Sequence, residues 1–195
     1  MIAEVGVIET LGHESSRPIV TDPFADSDTE VGGLRAEWFV LHTRSRQEKV
    51  VAEHLERMAI RHFLPMVKVE RRYAHRRRIV LKPIFPSYVF MRGTWDDRAR
   101  ALSTNRIAKV IEAPDQTRLI HELRQIHAAL AAGVTLDPYP YLRVGHRVRV
   151  RSGPLMGVEG LVEERRKPHR LVLQVQTLGQ AMSLELDADL LEPMD

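Results

Sequence analysis

The chain contains no cysteine. Disulfides, cysteine-ligated zinc and thiol catalysis are therefore excluded, and a reducing cytosol suits such a sequence. It has no apolar run of the length needed to cross a bilayer. Its first residues, MIAEVGVIETLGHESS, place Glu4 and Glu9 where a secretion signal carries positive charge. A cytoplasmic protein is expected. Aromatic residues are few, at 6%, so each aromatic cluster carries weight. Catalytic signatures are missing too. There is no HExxH, no GxSxG and no glycine-rich phosphate loop. His121 and His127 are six residues apart on a helical stretch, hence on different faces. Neither an enzyme nor a bound cofactor or metal is expected.

What the chain does have is charge, unevenly placed. The net formal charge is +3 over 195 residues, but residues 1–34 carry −6, residues 35–133 carry +10 and residues 134–195 carry −1. The middle segment is the one suited to phosphates or to an acidic protein surface. Residues 1–34 show no sustained period and include Asp26-Ser27-Asp28-Thr29-Glu30. They read as an acidic, disordered extension. Two roles fit it: a dispensable tail, or a competitor of nucleic acid for the basic segment.

From Glu37 the pattern changes. Trp38–Leu41 suits a buried strand. The spacing of Val50, Val51, His54, Leu55 and Met58 predicts a helix capped by Thr43 or Ser45. His62–Pro65 reads as a strand. Residues 66–82 read as a hairpin with a basic tip near Ala74-His75-Arg76. Phe85–Met91 is a strand opened by a proline. Asp96–Leu102 reads as a short helix, Ile107–Glu112 as a strand, and Thr117–Ala132 as a helix with Thr117 at its cap and Gly133 at its stop. The order β-α-β-β-β-α-β-α predicts a two-layer α+β domain. Residues 134–142, with Pro138 and Pro140, read as a stiff linker. Beyond them Arg147–Arg151 alternates strictly, and Leu161-Val162, Leu171–Gln176 and Met182–Leu186 are further short strands. Four or five such strands with glycine turns predict a small β-barrel over residues 143–195.

Three segments resemble a known family. Gly145–Gly160, reading GHRVRVRSGPLMGVEG, resembles the KOW motif of SH3-like barrels. Trp38-Phe39-Val40-Leu41-His42-Thr43-Arg44 and Phe85-Pro86-Ser87-Tyr88-Val89-Phe90 resemble the N-terminal (NGN) domain of NusG transcription elongation factors, with Ser87 where the family usually has glycine. The order and spacing of the segments are the family's. The first helix and Phe63–Met66 look more like the specialised RfaH and UpxY antiterminators than the general factor.

The resemblance implies a chain of four parts: an extension (1–34), a polymerase-binding domain (35–133), a linker (134–142) and a KOW domain (143–195). It implies a transcription elongation or antitermination factor, monomeric, that binds the clamp helices of the largest RNA polymerase subunit. The implied docking residues are Tyr88 and Phe90, with Phe85, Ile111 and His42 nearby. DNA of the transcription bubble would meet Arg44, Arg46 and Lys49 at the start of the first helix, and Arg71, Arg72, Arg76, Arg77 and Arg78 on the hairpin. Leu155, Met156 and Leu178 are the implied KOW contacts for a partner such as NusE of the ribosome, or Rho. Two alternatives stand beside this reading: the general NusG acting with Rho, and a ribosome-associated RNA-binding KOW protein.

Overall fold

The computed structural model describes residues 23–24, 36–73, 76–139, 145–162 and 170–194. They divide into two compact units. One holds residues 23–24, 36–65 and 85–120, and the other holds 66–73, 76–84 and the described residues from 121 onward.

The first unit is built on strands β1 (Glu37–Thr43), β2 (Arg61–Phe63), β5 (Tyr88–Gly93) and β6 (Ile107–Glu112), in the order β2-β5-β1-β6, all pairs antiparallel. Strand side chains alternate between faces. Phe39 and Leu41 of β1 and Val89 and Met91 of β5 therefore share one face. They form a core with Val51 and Leu55 of helix α1 (Glu48–Arg57) and Ala101 of helix α2 (Trp95–Leu102). Burying each such side chain is worth about 1.5–3 kcal/mol, which is why the apolar stripe of α1 lies on this face.

Helix α1 begins later than its sequence suggests. Its N-cap is Gln47, with no side-chain cap bond, and Thr43 is the buried last residue of β1, so neither Thr43 nor Ser45 caps it. Residues 44–46 form a turn, with Gln47 N donating to Arg44 O at 3.1 Å and Arg46 at φ 59°. The helix ends in a Schellman motif: Ile60 N donates to Leu55 O and Ala59 N to Glu56 O, both at 2.8 Å, with Ala59 at φ 57°.

Other element ends are corrected in the same way. Helix α2 is capped by Thr94, whose hydroxyl accepts from Asp97 N while the Asp97 carboxylate accepts from Thr94 N, a reciprocal capping box. Helix α3 (Gln116–Ala131) is capped by Asp115, whose carboxylate accepts from Arg118 N at 2.9 Å, and not by Thr117. Its stripe Leu119, Leu123, Ile126 and Leu130 is buried, and Gly133 at φ 73° ends it. Residues 85–87 are a turn outside β5, so the strand expected from Phe85 begins at Tyr88. The predicted element order is also one strand short, because β2 and both hairpin arms are separate strands.

In the second unit, β3 (Met66–Tyr73) and β4 (Arg76–Pro83) pair in a continuous antiparallel register from Met66↔Pro83 to Tyr73↔Arg76. Residues 74–75, the expected tip, lie outside the described residues. The remaining strands are β7 (Asp137–Tyr139), β8 (His146–Val150), β9 (Glu159–Val162), β10 (Arg170–Val175), β11 (Gln180–Glu185) and β12 (Leu191–Pro193). They form a six-stranded antiparallel sheet in the order β12-β8-β9-β10-β11-β7. Residues 137–139, read from the sequence as linker, thus form a strand paired with β11. Gly160 sits where β9 meets β10. A Cβ there would lie 2.7 Å from the Val172 carbonyl oxygen, which only glycine avoids. Gly153 and Gly157 turn the chain at φ 86° and 85°. Helix α3 contributes to this unit through Gln125 Oε1, which accepts from Glu159 N at 3.0 Å, and Glu122 Oε2, which accepts from Gln176 N at 3.0 Å.

Candidate docking face and basic surfaces

The second face of the β2-β5-β1-β6 sheet is aromatic. Register places Val40 opposite Phe90 and Ile111, His42 opposite Tyr88, and Phe63 opposite Phe90. Trp38, Val40, His42, Phe63, Tyr88, Phe90 and Ile111 therefore lie on one face. Tyr88 and Phe90 share it, as alternation requires. Phe85, off the strand, joins it from the turn, with its ring centroid 6.0 Å from Phe90 in an edge-to-face contact. Phe63 lies 6.2 Å from Phe90. Such contacts stabilise by about 0.5–1.5 kcal/mol beyond area burial.

The implied docking residues are not equally accessible. Phe90 is 0% exposed and Phe85 1%, whereas His42, Tyr88 and Ile111 are half-buried. Tyr88 stacks on His42 with centroids 5.1 Å apart and planes tilted by 30°. Phe90 is thus not a surface side chain. The β1–β6 register shifts between His42 and Thr43, and such an irregularity at a strand end re-aims the chain there.

The turn before Tyr88 is set by three residues. Pro86 follows Phe85, Ser87 takes φ 67°, and Tyr88 N donates to Phe85 O at 3.2 Å. That is the pattern of a type II turn, whose third position favours glycine. Ser87 takes the strained position, and its backbone N–H donates to Glu48 Oε1 at 2.7 Å. Glu48, 8% exposed, is a buried carboxylate at the first turn of α1. It ties the helix to the turn that aims Tyr88. Thr43 N donates to Ser87 O at 2.8 Å, closing the same corner. At the other end Gln116 clamps Trp38: its Oε1 accepts from Trp38 N at 2.8 Å and its Nε2 donates to Trp38 O at 2.9 Å. Glu48 and Gln116 have no motif signal in the sequence, since the pairs are 39 and 78 residues apart.

Phe24 was missed as well. It is fully buried against Trp38 and Phe63, with centroids at 5.1 and 5.3 Å. It belongs to the extension read as disordered. A lone phenylalanine in an acidic, aperiodic stretch gives no hint of packing. His62, beside Phe63, has its imidazole pKa lowered by burial, which outweighs the Ile60 carbonyl and Glu56.

The basic residues are spread over separate elements. Arg44, Arg46 and Lys49 are exposed. Only Lys49 is on α1, because Arg44 and Arg46 precede it in the turn. On the hairpin, register sets Arg71 opposite Arg78 and Arg72 opposite Arg77, with Arg77 and Arg78 exposed. On α2, Trp95 is 55% exposed and lies 5.8 Å from Phe39, with the Arg98 guanidinium 4.8 Å over its ring and 4.0 Å from Glu112. Of the implied KOW contacts, Leu155 is buried, Leu178 half-buried and Met156 72% exposed. No group of three or more potential metal ligands occurs among the described residues, and no helix there is long and apolar enough to cross a membrane.

Residues 36–133 match the family described as "Transcription termination factor nusG". That span is half of the 195-residue chain, and the chain belongs to this family of transcription factors. Among solved structures it is similar to one described as "Domain interaction in Thermotoga maritima NusG", at 18% identity and TM-score 0.43, covering 82% of this chain and 98% of that one. It is also similar to two conformations of an MjSpt4:Spt5 complex. Conformation A is 14% identical and conformation B 15%, each with TM-score 0.28, covering 81% of this chain and 98% and 97% of those chains.

Proposed function

We propose that the chain is a transcription elongation factor of the antiterminating kind. It docks on the clamp helices of the largest RNA polymerase subunit and suppresses pausing or termination. The observation that carries the reading is the continuous aromatic face on the family-matched domain, with Tyr88 and His42 at its accessible end. An apolar sheet face meeting a helical hairpin is a known mode of recognition. Residues 35–133 would be the docking domain, and Arg44, Arg46, Lys49 and the hairpin arginines 71, 72, 76, 77 and 78 would meet bubble DNA through salt-sensitive phosphate contacts. The six-stranded sheet would be the KOW module. Met156, with Leu178 and Leu155 behind it, would recruit a further protein such as NusE or Rho.

Single-round transcription through a terminator tests this. The protein is expected to raise read-through, and Tyr88→Ala to abolish the effect while thermal unfolding is little changed. No loss of polymerase binding in Tyr88→Ala would refute the docking face. Enhanced Rho-dependent termination would instead assign the chain to the general factor.

A further inference from the structure

The aromatic face has an occupant that the family-matched domain does not supply. Phe24 lies before the matched span of residues 36–133, yet it is 0% exposed and packs on Trp38 and Phe63, which leads through Phe63 to Phe90. Trp38 and His42 are four residues apart on one strand, about 13 Å. Phe24 thus sits at the Trp38 end of the face, while the Tyr88–His42 end stays half-open. Two features set this contact apart from ordinary core. The indole Nε1 of Trp38 is buried without an acceptor among the described residues, whereas a buried tryptophan normally finds one. Phe24 also stands in the acidic sequence Asp22-Pro-Phe-Ala-Asp-Ser-Asp28, and residues 1–34 carry −6 against +10 on residues 35–133. Opposite net charges favour association of this segment with the domain.

We propose that Trp38 and Phe63, backed by Phe90, form a subsite for an aromatic or large apolar side chain of the docking partner, and that Phe24 fills it in cis. The acidic N-terminal segment is then a tethered competitor of the partner. The proposal rests on the docking reading above. Apparent affinity falls in proportion to the fraction of molecules with an open site. A segment seated nine-tenths of the time would weaken binding about tenfold.

The test compares the full-length protein with Phe24→Ala in binding to core RNA polymerase. Phe24→Ala is expected to bind about tenfold more tightly. In a Trp95→Phe background Trp38 is the sole tryptophan, and its quenching by acrylamide should rise in Phe24→Ala while far-ultraviolet circular dichroism is unchanged. Weaker or unaltered polymerase binding in Phe24→Ala, with a lowered melting temperature, would make Phe24 a core residue and overturn the proposal. A synthetic peptide of residues 18–34 gives a second measurement that needs no variant protein. Added to the wild type, it should reduce polymerase binding, and the same peptide with Phe24→Ala should not; equal effects of the two peptides would also overturn the proposal. Tyr88→Ala separates the two readings. If it abolishes binding while Phe24→Ala fails to tighten it, the subsite falls and the docking face stands. If it leaves binding intact, both fall.

Discussion

Ser87 shows how one residue can carry a cost for the geometry of a site. At φ 67° it occupies a left-handed conformation, which costs a non-glycine residue about 1–2 kcal/mol. Ser87→Gly should raise stability by about 0.5–1 kcal/mol after the larger unfolded-state entropy of glycine is counted, as a higher urea midpoint with unchanged slope. The Glu48 bond is to the Ser87 backbone, so it survives the change. Asp97 is the second case. Burial pushes its carboxyl pKa up, but the hydrogen bonds from Thr94 and Arg100 outweigh that and hold the pKa below the usual value. A lowered folded pKa gives stability that is complete above the ordinary aspartate value of about 3.9 and lost as pH falls through the folded value. Asp97→Asn should therefore cost about 1 kcal/mol near neutrality. In urea titrations at stepped pH, the gap to wild type should shrink only below about pH 4.

At the scale of elements, the glycine punctuation of residues 153–160 has two distinct causes. Gly153 and Gly157 supply positive φ. Gly160 supplies room for the Val172 carbonyl of the neighbouring strand. Gly160→Ala should destabilise by about 1–3 kcal/mol, because the obstacle is backbone and not a flexible side-chain tip; guanidine denaturation of the full chain measures it. The β3–β4 hairpin makes a different prediction. If Arg77 and Arg78 meet phosphates, Arg77→Ala with Arg78→Ala should lower the salt dependence of bubble-DNA binding by a log–log slope of about 0.9 per arginine, without altering sequence preference. An unchanged slope would remove the hairpin from the DNA-binding set.

Across the whole chain, net charge is distributed unevenly. The excess of positive charge lies in residues 35–133, the excess of negative charge in residues 1–34, and residues 134–195 are near neutral. The order of strands and helices was largely legible because α1 and α3 carry strong apolar periods, and β8 and β10 suit short strands. Element ends were not. Gln47 and Asp115 became caps where Thr43, Ser45 and Thr117 were the better sequence candidates, because strand β1 kept Thr43 and the turn before α1 consumed Ser45.

The sequence alone pointed to the family, through the Trp38–Arg44 and Phe85–Phe90 segments that lie within the matched span, and to the alternation that puts Tyr88 and Phe90 on one face. Both are properties of local spacing, which survive without knowledge of distant contacts. Only the tertiary structure decided that Phe90 is buried, that Glu48 and Gln116 hold the two ends of the face, and that Phe24 covers its Trp38 end. Those facts depend on residues brought together from 14 to 78 positions apart. Their pairing follows from strand register and packing, which no local pattern encodes.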